Sequence, residues 1–240
     1  MRAITKLPEP SSLAQYRAGA DVRYEMAYDE FPDKEAVRAQ LVTEQRGLCA
    51  FCGCRIVNSP LRMKIAHWKP RKFKIEGANG LAAYPNLPDQ LAYWNMLGVC
   101  KGNEGQPPEK QHCDTHQGNL PLSKNPADPT HRIEDIVSFL NDGSIVSSDG
   151  QFNQELGCKR PDGTFDEGVL NLNLSRLQMN RKRELDGFKD YLEKRGRLTT
   201  AQVKKRLAEW RGDEAGELKP YAPTVAYWLK RRLAREPLAL

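Results

Sequence analysis

A chain of 240 residues with 28% charged side chains and a net charge of +6 is long enough for one sizeable domain or two small ones. A mean hydropathy of −0.68, no apolar run near the ~20 residues of a membrane span and no apolar signal-like start lead to the expectation of a soluble, cytoplasmic protein. In that reducing setting the six cysteines point to metal ligation before disulfides.

Residues 1–20, with Pro8, Pro10 and two serines, read as weakly structured. Asp33 is a predicted N-cap for a helix through about Arg46, with Ala36, Val37, Leu41 and Val42 on its apolar face and Gly47 as its stop. Short strands around Arg55-Ile56-Val57 and Met63-Lys64-Ile65 are expected to flank an Asn58-Ser59-Pro60 turn. Residues 76–90 read as a loop, and residues 101–111, almost without apolar side chains, as a flexible insertion. Two short strands over 136–140 and 145–147 flank Asn141-Asp142-Gly143, the strongest hairpin signal in the chain. Ser175 is a predicted cap for a long helix reaching Lys194, with Leu177, Leu185, Phe188 and Leu192 as apolar positions. Helical stretches over 201–211 and 225–235 follow. The expected organisation is an N-terminal helical extension (1–46), a metal-stapled core (47–130), a hairpin with a connecting segment (131–170) and a helical region (171–240). That last region carries 17 Lys/Arg against 9 Asp/Glu, while the rest carries 20 against 22, a distribution suited to an acidic partner such as nucleic acid.

The chemistry concentrates between residues 49 and 116. Cys49-Ala50-Phe51-Cys52 makes a tight knuckle, and Cys100 with Cys113 completes four thiolates for a structural Zn²⁺, with Cys54 and His112 as alternative ligands. A unit of such short strands buries little apolar surface, so metal binding would supply much of its folding energy. Cys158 stands alone and reads as a buried or surface thiol. His67, at the end of a β-type run and before Trp68-Lys69-Pro70, suits a general base whose ordinary pKa lies near neutrality. A Mg²⁺ or Mn²⁺ ion beside it would stabilise charge on a phosphodiester in hydrolysis. Asn95 would fix the loop carrying His67, and Asp114 would reach the ion from the start of a helix. Lys64, Lys69, Arg71, Lys72 and Lys74 surround His67 without an acid among them and suit phosphate contacts. Trp68 and Phe73 fit either base stacking or the core, and for Trp68 the core reading is preferred.

These residues resemble the HNH (ββα-metal) nucleases, and within them the retron- and Septu-associated antiphage group. The matching pieces are Leu48-Cys49-Ala50-Phe51-Cys52, Ile65-Ala66-His67-Trp68-Lys69-Pro70, Tyr93-Trp94-Asn95-Met96-Leu97 and His112-Cys113-Asp114-Thr115-His116-Gln117-Gly118-Asn119. Val169-Leu170-Asn171-Leu172-Asn173-Leu174-Ser175, with Leu177 and Arg181 after it, extends the similarity over most of residues 1–195. The resemblance implies an α+β fold: a zinc-stapled ββα-metal core with predominantly helical extensions at both ends. It implies a DNA endonuclease, the effector of an antiphage complex with an ABC/SMC-like ATPase and itself oligomeric there, held latent until triggered. By the same resemblance His67 matches the general base, Asn95 the middle Asn, Asp114 a metal ligand, and Cys49, Cys52, Cys100 and Cys113 the zinc knuckles. Two positions depart from the pattern. Ala66 stands where an acidic residue or His is usual, leaving Asp114, with a nitrogen of His116 and waters, to hold the catalytic ion. Gln117 stands where Lys is common.

Overall fold

The computed structural model describes residues 1–24, 26–71, 75–76, 82–83, 87–160, 162–196, 198–213 and 216–235. It is an α+β arrangement in which helices surround four small two-stranded sheets among the described residues. Among the described residues no helix is long and apolar enough to cross a membrane.

The N-terminal part is more ordered than its composition suggests. After Pro10 the chain forms α1 (Ser11–Gly19), which buries Leu13, and a short α2 (Ala27–Glu30) follows. The expectation of weak structure over residues 1–20 fails because specific partners hold the segment. Ile4 N–H donates to Pro126 O at 2.8 Å. The Lys6 ammonium sits 2.6 Å from the buried Glu44 carboxylate, which also accepts Leu7 N–H and the Tyr93 hydroxyl. The helix α3 (Lys34–Glu44) begins at Asp33, whose carboxylate accepts Ala36 N–H at 3.1 Å, as a capping Asp should. Its Val37 and Leu41 pack with Leu13, Tyr28, Phe31, Leu91, Tyr93 and Met96 into one core.

The central sheet differs from expectation. Strand β1 (Met63–His67) does not pair with residues 55–57, which make a single bridge from Arg55 to Leu48. The region around Asn58-Ser59-Pro60 uses its backbone locally: Ser59 N–H donates to Val57 O, and Arg62 and Met63 N–H donate to Ser59 O. A second short pair, β2 (Ile75–Glu76) and β3 (Ala82–Ala83), intervenes in sequence. The partner of β1 is β4 (Met96–Cys100), antiparallel, with Met63 opposite Cys100 and His67 opposite Met96. β4 is buried at all five positions, so pairing it satisfies the backbone of the strand with most to lose from staying unpaired. Buried Gln45 at the end of α3 fixes this strand, accepting Gly98 N–H at 2.7 Å and donating to Gly98 O and Leu48 O. A Cβ on Gly98 would stand 3.1–3.3 Å from Ile56 and Gln45, close enough that those side chains would have to shift slightly.

Beyond β4 come α4 (Asp114–Gln117), α5 (Ile133–Ile136), the hairpin β5 (Val137–Phe139) and β6 (Ile145–Ser147), α6 (Gly150–Leu156), and the pair β7 (Cys158–Lys159) and β8 (Phe165–Asp166). The 101–111 segment is pinned rather than loose. His112 N–H donates to Gly102 O, Asn103 reaches Lys110 O, and Asn171 donates to the carbonyls of Glu109 and Gln111. The long helix α7 (Ser175–Glu193) starts one residue earlier than a Ser175 cap allows, since Leu174 takes the cap position without a side-chain bond. With α8 (Thr200–Arg211), opened by a Thr199/Gln202 capping box, and α9 (Ala222–Arg235), it encloses a core of Leu185, Phe188, Leu192, Val203, Val225 and Leu229. The first turns of α7 belong elsewhere: Leu177 packs with the central sheet and the cysteines.

Gly143 in the β5–β6 turn has φ +87°, and a Cβ there would stand 2.0 Å from Gln178 O on α7. Gly143→Ala is therefore expected to destabilise the protein by more than about 1 kcal/mol, whereas Gly150→Ala, with open space around it, should be neutral or mildly stabilising. Denaturant midpoints of the two variants check this.

Candidate metal centre and the surroundings of His67

Four buried sulfurs, those of Cys49, Cys52, Cys100 and Cys113, lie within 4.8 Å of one another. Three of their separations are 3.8–3.9 Å. A tetrahedron with Zn–S bonds of about 2.3 Å has edges of about 3.8 Å, so the donor set and its spacing suit a metal such as zinc. The knuckle forms because Gly53, at φ +78°, turns the chain back: Gly53 N–H donates to Cys49 O, and Cys49 N–H to Cys54 O. β4 delivers Cys100, whose N–H points at Cys49 Sγ from 3.4 Å. Cys113 adopts φ +56°, a strained region for a side chain with a Cβ, held by its N–H bond to Leu170 O at 2.9 Å.

The alternative ligands take other places. Cys54 borders the cluster, interacting with Cys49, Cys52 and Cys100, but is not one of the four mutually close sulfurs, and its Sγ faces Arg55 O. His112 is a neighbour of a ligand rather than a ligand: its Nδ1 is 3.1 Å from Cys113 Sγ and its Nε2 faces Arg176. Such an outer contact fixes a thiolate ligand and stabilises its charge. Arg181, almost fully buried on α7, donates to Gly143 O, Leu172 O and Asn173 Oδ1. Burial lowers its pKa to about 10, while the nearby charges of Cys52 and Cys113 work to raise it. The sequence held Arg181 only as part of a motif; its placement near Cys52 and Cys113 of the cluster gives that position a physical reason.

His67 closes β1, as the sequence reading placed it. Its Nε2 meets Gln90 O at 2.9 Å, and the Tyr28 ring packs edge-on against it with centroids 4.6 Å apart. Burial holds its pKa down at about 3, so the imidazole is neutral throughout the physiological range. Asn95 is fully buried and clamps the following turn: its Oδ1 accepts Lys69 N–H at 2.8 Å, its Nδ2 donates to Lys69 O and Asp89 O, and its carbonyl accepts Trp68 N–H. Asp114 leads α4 directly after the ligand Cys113. Burial raises its pKa, opposed by the positive charges of Lys64 and Arg71.

The remaining expected site residues separate. His116 points the other way, with Nδ1 on Val169 O at 3.1 Å and Nε2 on Glu167 at 3.2 Å. Both ring nitrogens are engaged, so the expectation that it shares an ion with Asp114 is corrected. Lys64 is 2.8 Å from Glu104, hydrogen-bonded to Thr115 and 3.9 Å from Asp114. Lys69 pairs with Asp89 and lies over the Trp94 ring, while Arg71 pairs with Asp29 at 2.7 Å and covers the Tyr28 ring. The absence of acids around these cations in sequence is thus not an absence in space. Lys72, Phe73 and Lys74 lie outside the described residues. Trp68 packs against Trp94, His131 and the core. Sequence reasoning missed Tyr28 and Gln90. Gln90 serves His67 through its carbonyl while its side chain accepts Tyr28 N–H and donates to Val22 O and Tyr24 O.

Two outcomes follow. Cys113→Ser should abolish stoichiometric metal and lower the melting temperature, while Cys54→Ser and Cys158→Ser keep metal, as read by metal analysis of the purified variants. Because the folded pKa of His67 lies below its unfolded value near 6.5, its stabilising contribution is complete above about pH 6.5 and is lost as pH falls toward 3. The stability difference between the protein and His67→Gln should accordingly shrink in acid, with a slope of at most about 1.4 kcal/mol per pH unit, in paired denaturation curves. Comparison of the chain with family models and with curated proteins returns no match.

Proposed function

We propose that this protein is a metal-dependent endonuclease of the HNH type that hydrolyses DNA phosphodiester bonds, working as the effector of a defence complex with an ABC/SMC-like ATPase. The observation that carries the reading is the joint placement of His67 and Asp114. His67 ends a strand whose next turn is locked by Asn95, and Asp114 opens the helix that follows the metal ligand Cys113. In this reading neutral His67, oriented by its Nε2 contact with Gln90 O, takes a proton from the attacking water at Nδ1. Asp114 would hold a Mg²⁺ or Mn²⁺ ion whose remaining positions are water and substrate oxygens, an arrangement Mg²⁺ accepts with one carboxylate. When bound, that ion supplies charge stabilisation for the phosphodiester and its leaving oxygen. The cysteine cluster would carry a structural Zn²⁺ that sets the distance between the strand and the helix.

A second reading has its own support. Tyr28 covers His67, and Ala66, where a further ion ligand would be expected, is buried and apolar. Those features favour a metal-stapled subunit that grips nucleic acid or docks on the ATPase without cutting. Plasmid cleavage with Mg²⁺ or Mn²⁺ separates the two, comparing the protein with His67→Ala at equal zinc content, each alone and with a candidate ATPase from the same operon. The nuclease reading expects a loss of about 10²-fold or more in the variant, the usual scale for a general base. No cleavage by the unmutated protein under any of these conditions leaves the binding reading standing.

A further inference from the structure

The neighbourhood of Tyr28 gathers more positive charge than it neutralises. The Arg71 guanidinium lies 4.6 Å from the centre of the Tyr28 ring and the Lys34 ammonium 5.4 Å. Arg38, one turn beyond Lys34 on α3, faces the same group: its charge acts on both the Tyr28 hydroxyl and the Lys34 ammonium. Against these three cations stand Asp29, which pairs with Arg71, and Asp114, whose charge also acts on Tyr28. Lys34 is held by the carbonyls of Asp29 and Phe31 at 2.8 and 2.9 Å and meets no carboxylate. Arg38 makes no ion pair among the described residues, and its Nε is buried without a hydrogen-bond partner. Burial lowers the pKa of Lys34, with Arg71 and Arg38 adding to the shift.

Holding like charges together costs free energy, and leaving a guanidinium N–H buried and unpaired costs more. Surface cations kept for solubility spread apart and point to water. Here Lys34 and Arg71 lie over one aromatic ring that packs against His67, with the charge of Arg38 acting on the same group. Arg71 also acts on His67 and Asp114, so the cluster and the candidate reaction centre share a field. A singly charged, multi-acceptor anion meets both needs: it offsets the excess charge and accepts the unmade hydrogen bonds.

We propose that Lys34, Arg38 and Arg71, gathered around Tyr28 beside His67, form a seat for a backbone phosphate of the nucleic-acid strand. The inference rests on the reading of His67 and Asp114 as a centre that handles phosphodiesters. It adds that the N-terminal helices, outside the cysteine-stapled unit, hold the strand in register with His67. Phosphate contacts of this kind position a substrate and carry no sequence information.

The test is binding of a short DNA duplex by the full chain without added divalent ion, titrated with salt. Arg38→Gln is the deciding variant, because Arg38 makes no hydrogen bond whose loss would disturb the fold; Lys34→Gln and the exposed control Lys159→Gln accompany it. Circular dichroism and zinc content confirm folding. Arg38→Gln should weaken binding several-fold at low salt and reduce the slope of log K against log salt by about 0.9, the value for one lost phosphate contact, while Lys159→Gln changes neither. An unchanged slope and affinity for Arg38→Gln overturn the seat. Pyrophosphate serves as the second probe. If Arg38→Gln removes pyrophosphate binding but leaves duplex binding intact, the ligand is a free phosphate compound and the strand assignment falls. The seat and the nuclease reading fail separately. A reduced slope in a protein that never cleaves keeps the seat and removes the nuclease, whereas His67-dependent cleavage with an unaltered slope does the reverse.

Discussion

The closure of four sulfur atoms around one point is the constraint on which this molecule depends. Cys49 and Cys52 come from a knuckle, Cys100 from the end of a strand and Cys113 from the turn before a helix. The sheet they brace has two strands of five residues, and such a pair is marginal in water without further support. A metal held there would join its two sides and add to the apolar packing that Ile56, Met63, Leu97 and Val99 already make around the cysteines. The strand that ends in His67 is tied to this junction through its pairing with β4, and α4 through Cys113, while Tyr28 and Gln90 reach His67 from the N-terminal side.

The cluster also sets an electrostatic condition for the interior. Four thiolates around a divalent ion would leave excess negative charge in a buried place, where unbalanced charge is expensive. Arg181 from α7, the ring of His112 and the Cys100 N–H aimed at Cys49 Sγ stand ready to offset it. This explains why the first half of α7 belongs to the central unit and its second half to the helical core. One helix carries the counter-charge inward and the three-helix packing outward. Two buried glutamines work in the same manner for neutral groups: Gln45 joins α3 to β4, and Gln90 joins the N-terminal segment to His67.

What could be read from the sequence was local chemistry. The Asp33 cap, the Gly47 stop, the Asn141-Asp142-Gly143 hairpin and the C-terminal helices follow from propensity and spacing, and each lies within a few residues of its expected place. The cysteine set was legible because two knuckles leave few other uses for four thiols. The failures are non-local. Residues 55–57 look like a strand, but the pairing of β1 is decided by β4, more than thirty residues away, through its burial. The polar 101–111 segment looks mobile, but its backbone groups find Asn171 and Asn103. His116 is a reasonable ligand by spacing until Glu167, fifty-one positions on, takes its second nitrogen. Tyr28 carried no signal at all: a tyrosine in a four-residue helix acquires meaning only when the fold lays it on His67.

The distribution of the cluster along the chain has a consequence for synthesis. At about 5–20 residues per second, some 6–25 seconds separate the emergence of Cys52 from that of Arg181. For about the first 3–12 seconds of that interval, until Cys113 emerges, the first knuckle is a two-thiol chelate without its full set of partners. It can take up the wrong metal or be oxidised before Cys100 and Cys113 arrive. Yield of the correctly metallated protein should therefore be governed by how that half-site is shielded on the ribosome, a kinetic liability invisible in the finished fold.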